Sequence, residues 1–170
     1  MVFVDETGFY LLPAVGRTYA PLGQTPILRE TLTRDHRALI GALTLTGRVF
    51  MQGQDRSLCS TDVVRFLNQL LRHIPGKVLI VWDGASIQYG AVQDFLRTAA
   101  AQRSVLGRLP SDAPELNPVE GVWPYLKHIE LLNVCCRTLA ELRQELRTAI
   151  ARVRQRGDGL ACCIRHPGCY

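Results

Sequence analysis

Short apolar runs that end on an acid alternate along this chain with stretches of helical period, and that alternation predicts its elements. Val2, Phe3 and Val4 read as a short buried strand that delivers Asp5 at its end, before Gly8, Pro13 and Gly16 break the pattern. Arg37 to Thr46, then Gly47, then Arg48 to Gln52 read as two strands about a tight turn, an antiparallel hairpin. From Ser60, placed as N-cap with Asp62 in the first turn, Val63, Val64, Leu67, Leu70, Leu71 and Ile74 recur at helical spacing until Pro75 and Gly76 stop the helix. Lys77 to Trp82 is the continuous apolar run of a central strand covered on both faces, and it leads straight into Asp83 and Gly84. Tyr89 to Ala101, with Val92, Phe95, Leu96 and Ala99 on one face, predicts a crossover helix, and Ser104 to Leu109 a further strand. Pro110, Pro114 and Pro118 punctuate a turn-rich loop, after which Val119 to Leu126 resumes helical period despite Pro124. Thr138 and Glu141 have capping-box spacing and open a long helix with Leu139, Leu142, Leu146, Ile150 and Val153 as its buried stripe.

A hairpin joined to a strand, helix, strand unit and followed by helices predicts an α/β fold. It is a mixed sheet, antiparallel hairpin plus parallel strands, flanked by helices in the ribonuclease-H-like arrangement. A length of 170 residues suits one such domain, expected over residues 1–156, with 157–170 a tail of no clear period. With 47% hydrophobic and 21% charged residues the composition is that of a globular protein. No basic leader precedes the first strand, and no window approaches the roughly 18 apolar residues of a spanning helix, so no membrane partner and a cytoplasmic location are expected. A net charge of +5, with only Lys77 and Lys127 as lysines among twenty cations, permits a polyanionic partner and favours bidentate phosphate contacts.

Three acids stand out by position: Asp5, Asp83 and Glu120, the last at the start of a helix behind the proline-rich loop. Neighbouring parallel strands present their C-terminal ends on one edge, so Asp5 and Asp83 lie side by side if their strands pair. Clustered carboxylates repel unless cations compensate them, and hard oxygen donors suit Mg²⁺ or Mn²⁺. Two such ions roughly 3.5 to 4 Å apart support in-line attack on a phosphodiester. On spacing alone an acid just beyond a strand is more often merely a turn residue or an N-cap, and both readings stand at this point.

The phrases FVDETGFYLLPAVGRTYAPLGQTP at 3–26, VWDGASI at 81–87 and LPSDAPELNPVEGVWPYLKH at 109–128 closely resemble the DDE catalytic domain of insertion-sequence transposases allied to the Tc/mariner group. A looser resemblance runs through DVVRFLNQLLRHIPGK at 62–77 and NVCCRTLAELRQELR at 133–147. It implies that Asp5, Asp83 and Glu120 are the catalytic acids, holding two Mg²⁺ or Mn²⁺ ions. The activity implied is metal-dependent cleavage at transposon ends and strand transfer into target DNA, without a covalent protein intermediate. The partners implied are transposon-end and target DNA, with a second copy of the chain or a full-length transposase, and nucleoid association when DNA is bound. The chain departs from the family in carrying Gln88 where many relatives have a histidine, which removes a proton carrier. With Met1 four residues before Asp5, the family's helix-turn-helix DNA-binding region is expected to be absent. The alternatives are therefore an inactive remnant serving as an interaction module, or a ribonuclease-H-like nuclease that does not transpose.

Weaker signals surround these acids. Lys127, seven residues beyond Glu120, is placed to share its helix face and meet a phosphate, or else is a solvated charge while Trp123 and Leu126 pack against the sheet. Asn117 either bonds near the acids or caps the helix after Pro118, the cap being the favoured reading. Arg17 and Arg29 are candidate DNA contacts from a loop, and Gln88 a candidate beside Asp83. Arg143, Arg147, Arg152, Arg154 and Arg156 form a candidate backbone-binding stripe on the last helix, offset by Glu141 and Glu145. Zinc is not expected: the six cysteines include no C-x-x-C pair, and Cys135 and Cys136 read as small buried hydrophobes.

Overall fold

The computed structural model describes residues 1–12, 14, 16, 19–24, 27, 35–82, 95, 97, 102–110 and 113–155. Five strands form one sheet: β1 (Val2–Tyr10), β2 (His36–Thr44), β3 (Val49–Gln54), β4 (Val78–Trp82) and β5 (Ser104–Arg108), in the order β3-β2-β1-β4-β5. β1 pairs antiparallel with β2 and β2 with β3, whereas β4 pairs parallel with β1 and with β5. This is the mixed sheet that the element order predicts. The hairpin turns at Gly47, whose φ of 80° a side chain would strain, and the Gly47 N–H bonds the Thr44 carbonyl at 2.9 Å.

β1 departs from expectation in length. The sequence places Asp5 beyond the strand's end, exposed by the break at Gly8, but the strand runs on to Tyr10 and pairs with β2 throughout, down to Tyr10 opposite His36. Only the parallel pairing to β4 is short, its last described pair being Val4 with Trp82. Asp5 is thus an interior residue of β1 and the first to pass beyond the described β4 ladder.

Period-two alternation sends the two sheet faces into separate cores. Val2, Val4, Ile40, Ala42, Val78, Ile80 and Trp82 meet Val63, Phe66, Leu67, Leu70 and Leu71 of helix α1 (Ser60–His73), with Phe95 buried among them. Phe9, Leu39, Leu43 and Val49 on the other face meet the C-terminal helices. Those helices are α2 (Val122–Tyr125), continued by a π-helical segment (Leu126–Glu130), and α3 (Leu139–Gln155). Of the stripe predicted for α3, Leu142, Leu146 and Val153 are buried together with Ala149, while Leu139 and Ile150 pack at its margin. Thr138 caps α3 as expected, its Oγ1 accepting the Glu141 N–H at 3.2 Å, and Glu141 reaches back to the Arg137 N–H at 2.8 Å. The predicted crossover helix at 89–101 lies outside the described residues except for Phe95 and Arg97, and the tail at 157–170 lies outside them entirely.

Two expectations are corrected here. The strand at Lys77 to Trp82 is not covered on both faces throughout, since Leu79 is exposed. And the N-cap of α1 is Cys59 rather than Ser60, because Asp62 at the third helical position turns back to accept the Cys59 N–H at 3.1 Å. Arg56 also bonds that carboxylate, at 2.6 and 3.1 Å. The Arg56 guanidinium, then the Cys59 thiol, hold Asp62 well below the usual carboxylate range against the opposing effect of burial. A depressed folded-state pKa means that the unfolded chain takes up the proton first as pH falls. The stabilisation from Asp62 is therefore complete above the unfolded carboxylate value of about 4 and is lost as pH falls below it. Asp62→Ala should cost about 1 to 2 kcal/mol near neutrality, and the gap to wild type should shrink in urea melts carried down to about pH 3. A gap that does not change with pH would leave the charge with no part in it.

Candidate active site

Asp5 faces the α2 side of the sheet and is only 4% exposed. A carboxylate in that position needs partners that favour its charged form. One comes from α2, where the Trp123 indole Nε1–H donates to Asp5 Oδ2 at 2.5 Å. The indole lies over Gly41, the residue opposite Asp5 on β2, and a Cβ added there would stand 2.5 Å from Trp123 Cη2. Glycine inside a strand commonly marks such a close approach.

The helix that carries Trp123 is built around Pro124. A proline at the third helical position lacks an N–H that would have had no intrahelical acceptor, so α2 forms, though it is only four residues long before π-type bonding takes over. The Leu131 N–H then reaches the Leu126 carbonyl at 3.0 Å. Trp123 and Lys127 are four apart and project the same way, and the strand beneath them presents Asp5 and Thr7 two apart on one face. The result is a matched pair of contacts, Trp123 on Asp5 and Lys127 Nζ on Thr7 Oγ1 at 2.8 Å. Lys127 also sits 5.3 Å from the centre of the Phe9 ring. Burial lowers the Lys127 pKa, while the Glu120 and Asp5 carboxylates act in the opposite direction. Lys127 therefore lies within the field of both acids rather than standing as a solvated charge. Trp123 and Leu126 are buried, as the packing reading requires.

The proline-rich loop is tied to the same strand. Asn117, 2% exposed, donates from Nδ2 to the Val4 carbonyl at 3.2 Å and accepts the Val119 N–H on Oδ1 at 3.3 Å. Its own carbonyl accepts the Glu120 N–H at 3.0 Å. Asn117 therefore closes a turn and does not cap the helix, contrary to the favoured sequence reading: the helix expected from Val119 begins only at Val122 with Gly121 as its N-cap, and Glu120 lies in the turn before it. Its amide at the same time fastens the turn that carries Glu120 to the residue before Asp5. Nothing in the local spacing signals that second bond, which joins positions 113 apart.

Asp5, Glu120, Asn117 and Lys127 are thus brought together. Asp83, next in the chain after Trp82, lies outside the described residues, as do Arg17, Arg29, Gln88 and Arg156. Among the described residues no three acids, histidines or cysteines converge as a metal cluster. The donor set still suits a hard divalent cation, since a buried carboxylate that accepts a neutral indole N–H and a second carboxylate on the turn fastened to the same strand supply oxygen ligands without soft sulfur.

The arginine stripe on α3 is placed differently from the sequence reading, which offset it with Glu141 and Glu145 and left it for solvent or a partner. Arg143 pairs with Asp55, which Arg37 also holds, and Arg152 pairs with Glu130 at 2.5 Å. Arg154 donates to the Val49 carbonyl at 3.3 Å. These contacts stitch α3 to the hairpin and to the π segment, across sequence separations of 88, 22 and 105 that no helical spacing reveals. Arg147 lines a groove of about 140 Å³ with Arg37, Gln52 and Arg143. Cys136 is buried in the core as expected, whereas Cys135 is only half-buried. The residues that sequence reading missed as site components are Thr7, Gly41 and, in any role beyond packing, Trp123.

The sequence pattern of the DDE superfamily endonucleases matches residues 1–143. Among solved structures, the Mos1 mariner paired-end complex with Mn superposes with a TM-score of 0.63 at 16% identity, over 99% of this chain and 56% of that one. The Mos1 strand transfer complex gives a TM-score of 0.63 at 16% identity, over 99% of this chain and 55% of that one. The catalytic domain of Mos1 mariner transposase gives 0.57 at 13% identity, over 99% and 82%. The sheet and its helices are therefore the ribonuclease-H-like fold that the element order predicts, and the chain spans little more than half the length of the full Mos1 chains. No curated protein matches the sequence.

Proposed function

Because the chain belongs to the DDE superfamily endonucleases, we propose that it is the catalytic domain of a DNA transposase, cutting phosphodiester bonds at transposon ends and joining them to target DNA. The observation that carries this reading is the placement of Asp5: buried, past the described β4 ladder, and fastened through Val4 and Asn117 to the turn that bears Glu120. The domain spans residues 1–156, and its metal ligands are Asp5, Asp83, which follows β4 directly in the chain, and Glu120.

Two Mg²⁺ or Mn²⁺ ions, when bound, supply an activated hydroxyl nucleophile and stabilise the leaving oxygen. The protein's part is placement. β1 fixes Asp5 and its burial shields that carboxylate from water, while the Asn117 turn fixes Glu120. Lys127, its ammonium on Thr7 and in the field of both acids, is positioned to take a DNA phosphate oxygen and hold the scissile strand against the carboxylates. Arg147, Arg17 and Gln88 are read as further DNA contacts, and Arg143 as one that must share its charge with Asp55. The assembly partners proposed are DNA and a second copy of the chain or a full-length transposase. Among the described residues no helix is long and apolar enough to cross a membrane.

The test uses the DNA that flanks the protein's own gene, with Mg²⁺ or Mn²⁺, a supplied DNA-binding domain, and the Asp83→Ala variant alongside. Metal-dependent cleavage followed by joining to a target plasmid is expected from the wild type and neither product from the variant. Cleavage that never yields joined product marks a nuclease of the same fold instead, and no cleavage under any of these conditions removes the enzyme reading for this chain.

A further inference from the structure

Building on the metal-binding role given to Asp5 above, we propose that Trp123 is a positioning residue for that carboxylate and that Gly41 provides the space in which it does so. Three observations converge. Trp123 Nε1–H donates to Asp5 Oδ2 at 2.5 Å with both side chains buried, so no water competes for the bond. The outer ring of the indole occupies the place of a Cβ at residue 41, which would meet Cη2 at 2.5 Å and Cζ2 at 3.1 Å. And Gly41 is the residue paired with Asp5 across the β1–β2 ladder, so the ring is braced by the strand position beside its acceptor.

The chemistry suits a metal-binding carboxylate. An indole N–H is a donor only and carries no charge, so it fixes the rotation of Asp5 and favours its ionised form without adding positive charge that would repel a cation. An arginine or lysine there would hold the carboxylate as firmly but lower its attraction for the ion. Donors that orient a ligand from behind typically govern metal affinity or activity by about 10-fold to 100-fold.

The experiment follows Mn²⁺ binding to the whole chain by loss of the free-ion spin-resonance signal. It compares wild type with Trp123→Phe, Gly41→Ala, the double variant and Asp5→Asn, with thermal melts of each. Trp123→Phe keeps a ring but loses the N–H, and it should bind Mn²⁺ about 10-fold to 100-fold more weakly with its fold retained. Gly41→Ala should weaken binding through displacement of the indole. In the Trp123→Phe background it should add little, because phenylalanine lacks the outer ring that the new Cβ would strike. An independent readout needs no enzyme activity: the chain has two tryptophans, and the Trp123 indole N–H resonance should move when Mg²⁺ is added to wild type and stay put in Asp5→Asn. Wild-type affinity in a folded Trp123→Phe overturns the proposal and leaves the metal site standing. Absence of any Mn²⁺ binding that Asp5→Asn removes overturns the metal site and the proposal with it. Additive losses in the double variant overturn the role of Gly41.

Discussion

Asp5→Asn is expected to lower metal-dependent DNA cleavage by about three orders of magnitude, or about 4 kcal/mol of transition-state stabilisation, while leaving the fold in place. The substitution is nearly isosteric, and the amide carbonyl oxygen still accepts the Trp123 N–H, so the packing of α2 over Gly41 has no reason to change. What disappears is the negative charge. A hard divalent cation draws much of its binding from carboxylate charge, which a neutral amide supplies poorly. Removing a buried charge also relieves desolvation, so the variant should melt within a few degrees of wild type or above it. The relevant comparison is the initial cleavage rate at saturating Mn²⁺ beside a thermal melt. Cleavage within tenfold of wild type, in a variant that melts normally, would mean that Asp5 is a structural acid of the β1 ladder and no ligand.

The same residue shows where sequence reading succeeds and where it stops. Apolar runs ending on acids mark Asp5 and Asp83 as residues of interest, and the hairpin, α1, β4, β5 and α3 all follow from period and punctuation. Strand length did not follow for β1. Gly8 looks like a terminator locally, but β2 offers a full-length partner, and backbone pairing across the sheet carries the strand through the glycine to Tyr10. The acid's burial is a consequence of that pairing and of α2 folding over it, both long-range events. Lys127 is legible as a neighbour of the acids, but not by the route of a shared helix face with Glu120, which lies in the turn before α2; what places Lys127 is its bond to Thr7 on β1, 120 positions away. Trp123 was legible only as packing, because its polar partner lies 118 positions away. The partners of Arg143, Arg152 and Arg154 are hidden for the same reason: charge spacing within a helix reveals neighbours at three and four residues, and Asp55, Glu130 and Val49 are none of these.

Asn117→Ala is the second large effect expected, and it tests whether the turn is held for the sake of Glu120. Asn117 is the buried polar side chain that joins the proline-rich loop to β1, and alanine would remove its bonds to both the Val4 carbonyl and the Val119 N–H. Loss of buried bonds of this kind costs about 1 to 3 kcal/mol, which for a chain of this size is a fall in Tm of about 2 to 4 °C per kcal/mol. The catalytic loss should be larger than that stability loss explains. A displacement of about 1 Å in a group that must meet the reacting phosphate can cost about 100-fold in rate, and the Glu120 N–H is bonded to the backbone carbonyl of Asn117 itself. Cleavage measured well below the variant's Tm should therefore still fall by about 10-fold to 100-fold. Asn117→Asp sharpens the reading, since aspartate keeps an acceptor for the Val119 N–H but sets a carboxylate against the Val4 carbonyl where a donor is needed. If the bond to β1 is what places Glu120, the aspartate variant should be no more active than the alanine variant despite retaining the turn's cap. If it recovers wild-type cleavage, the cap alone suffices, and the link between the loop and the strand of Asp5 has no part in positioning the second carboxylate.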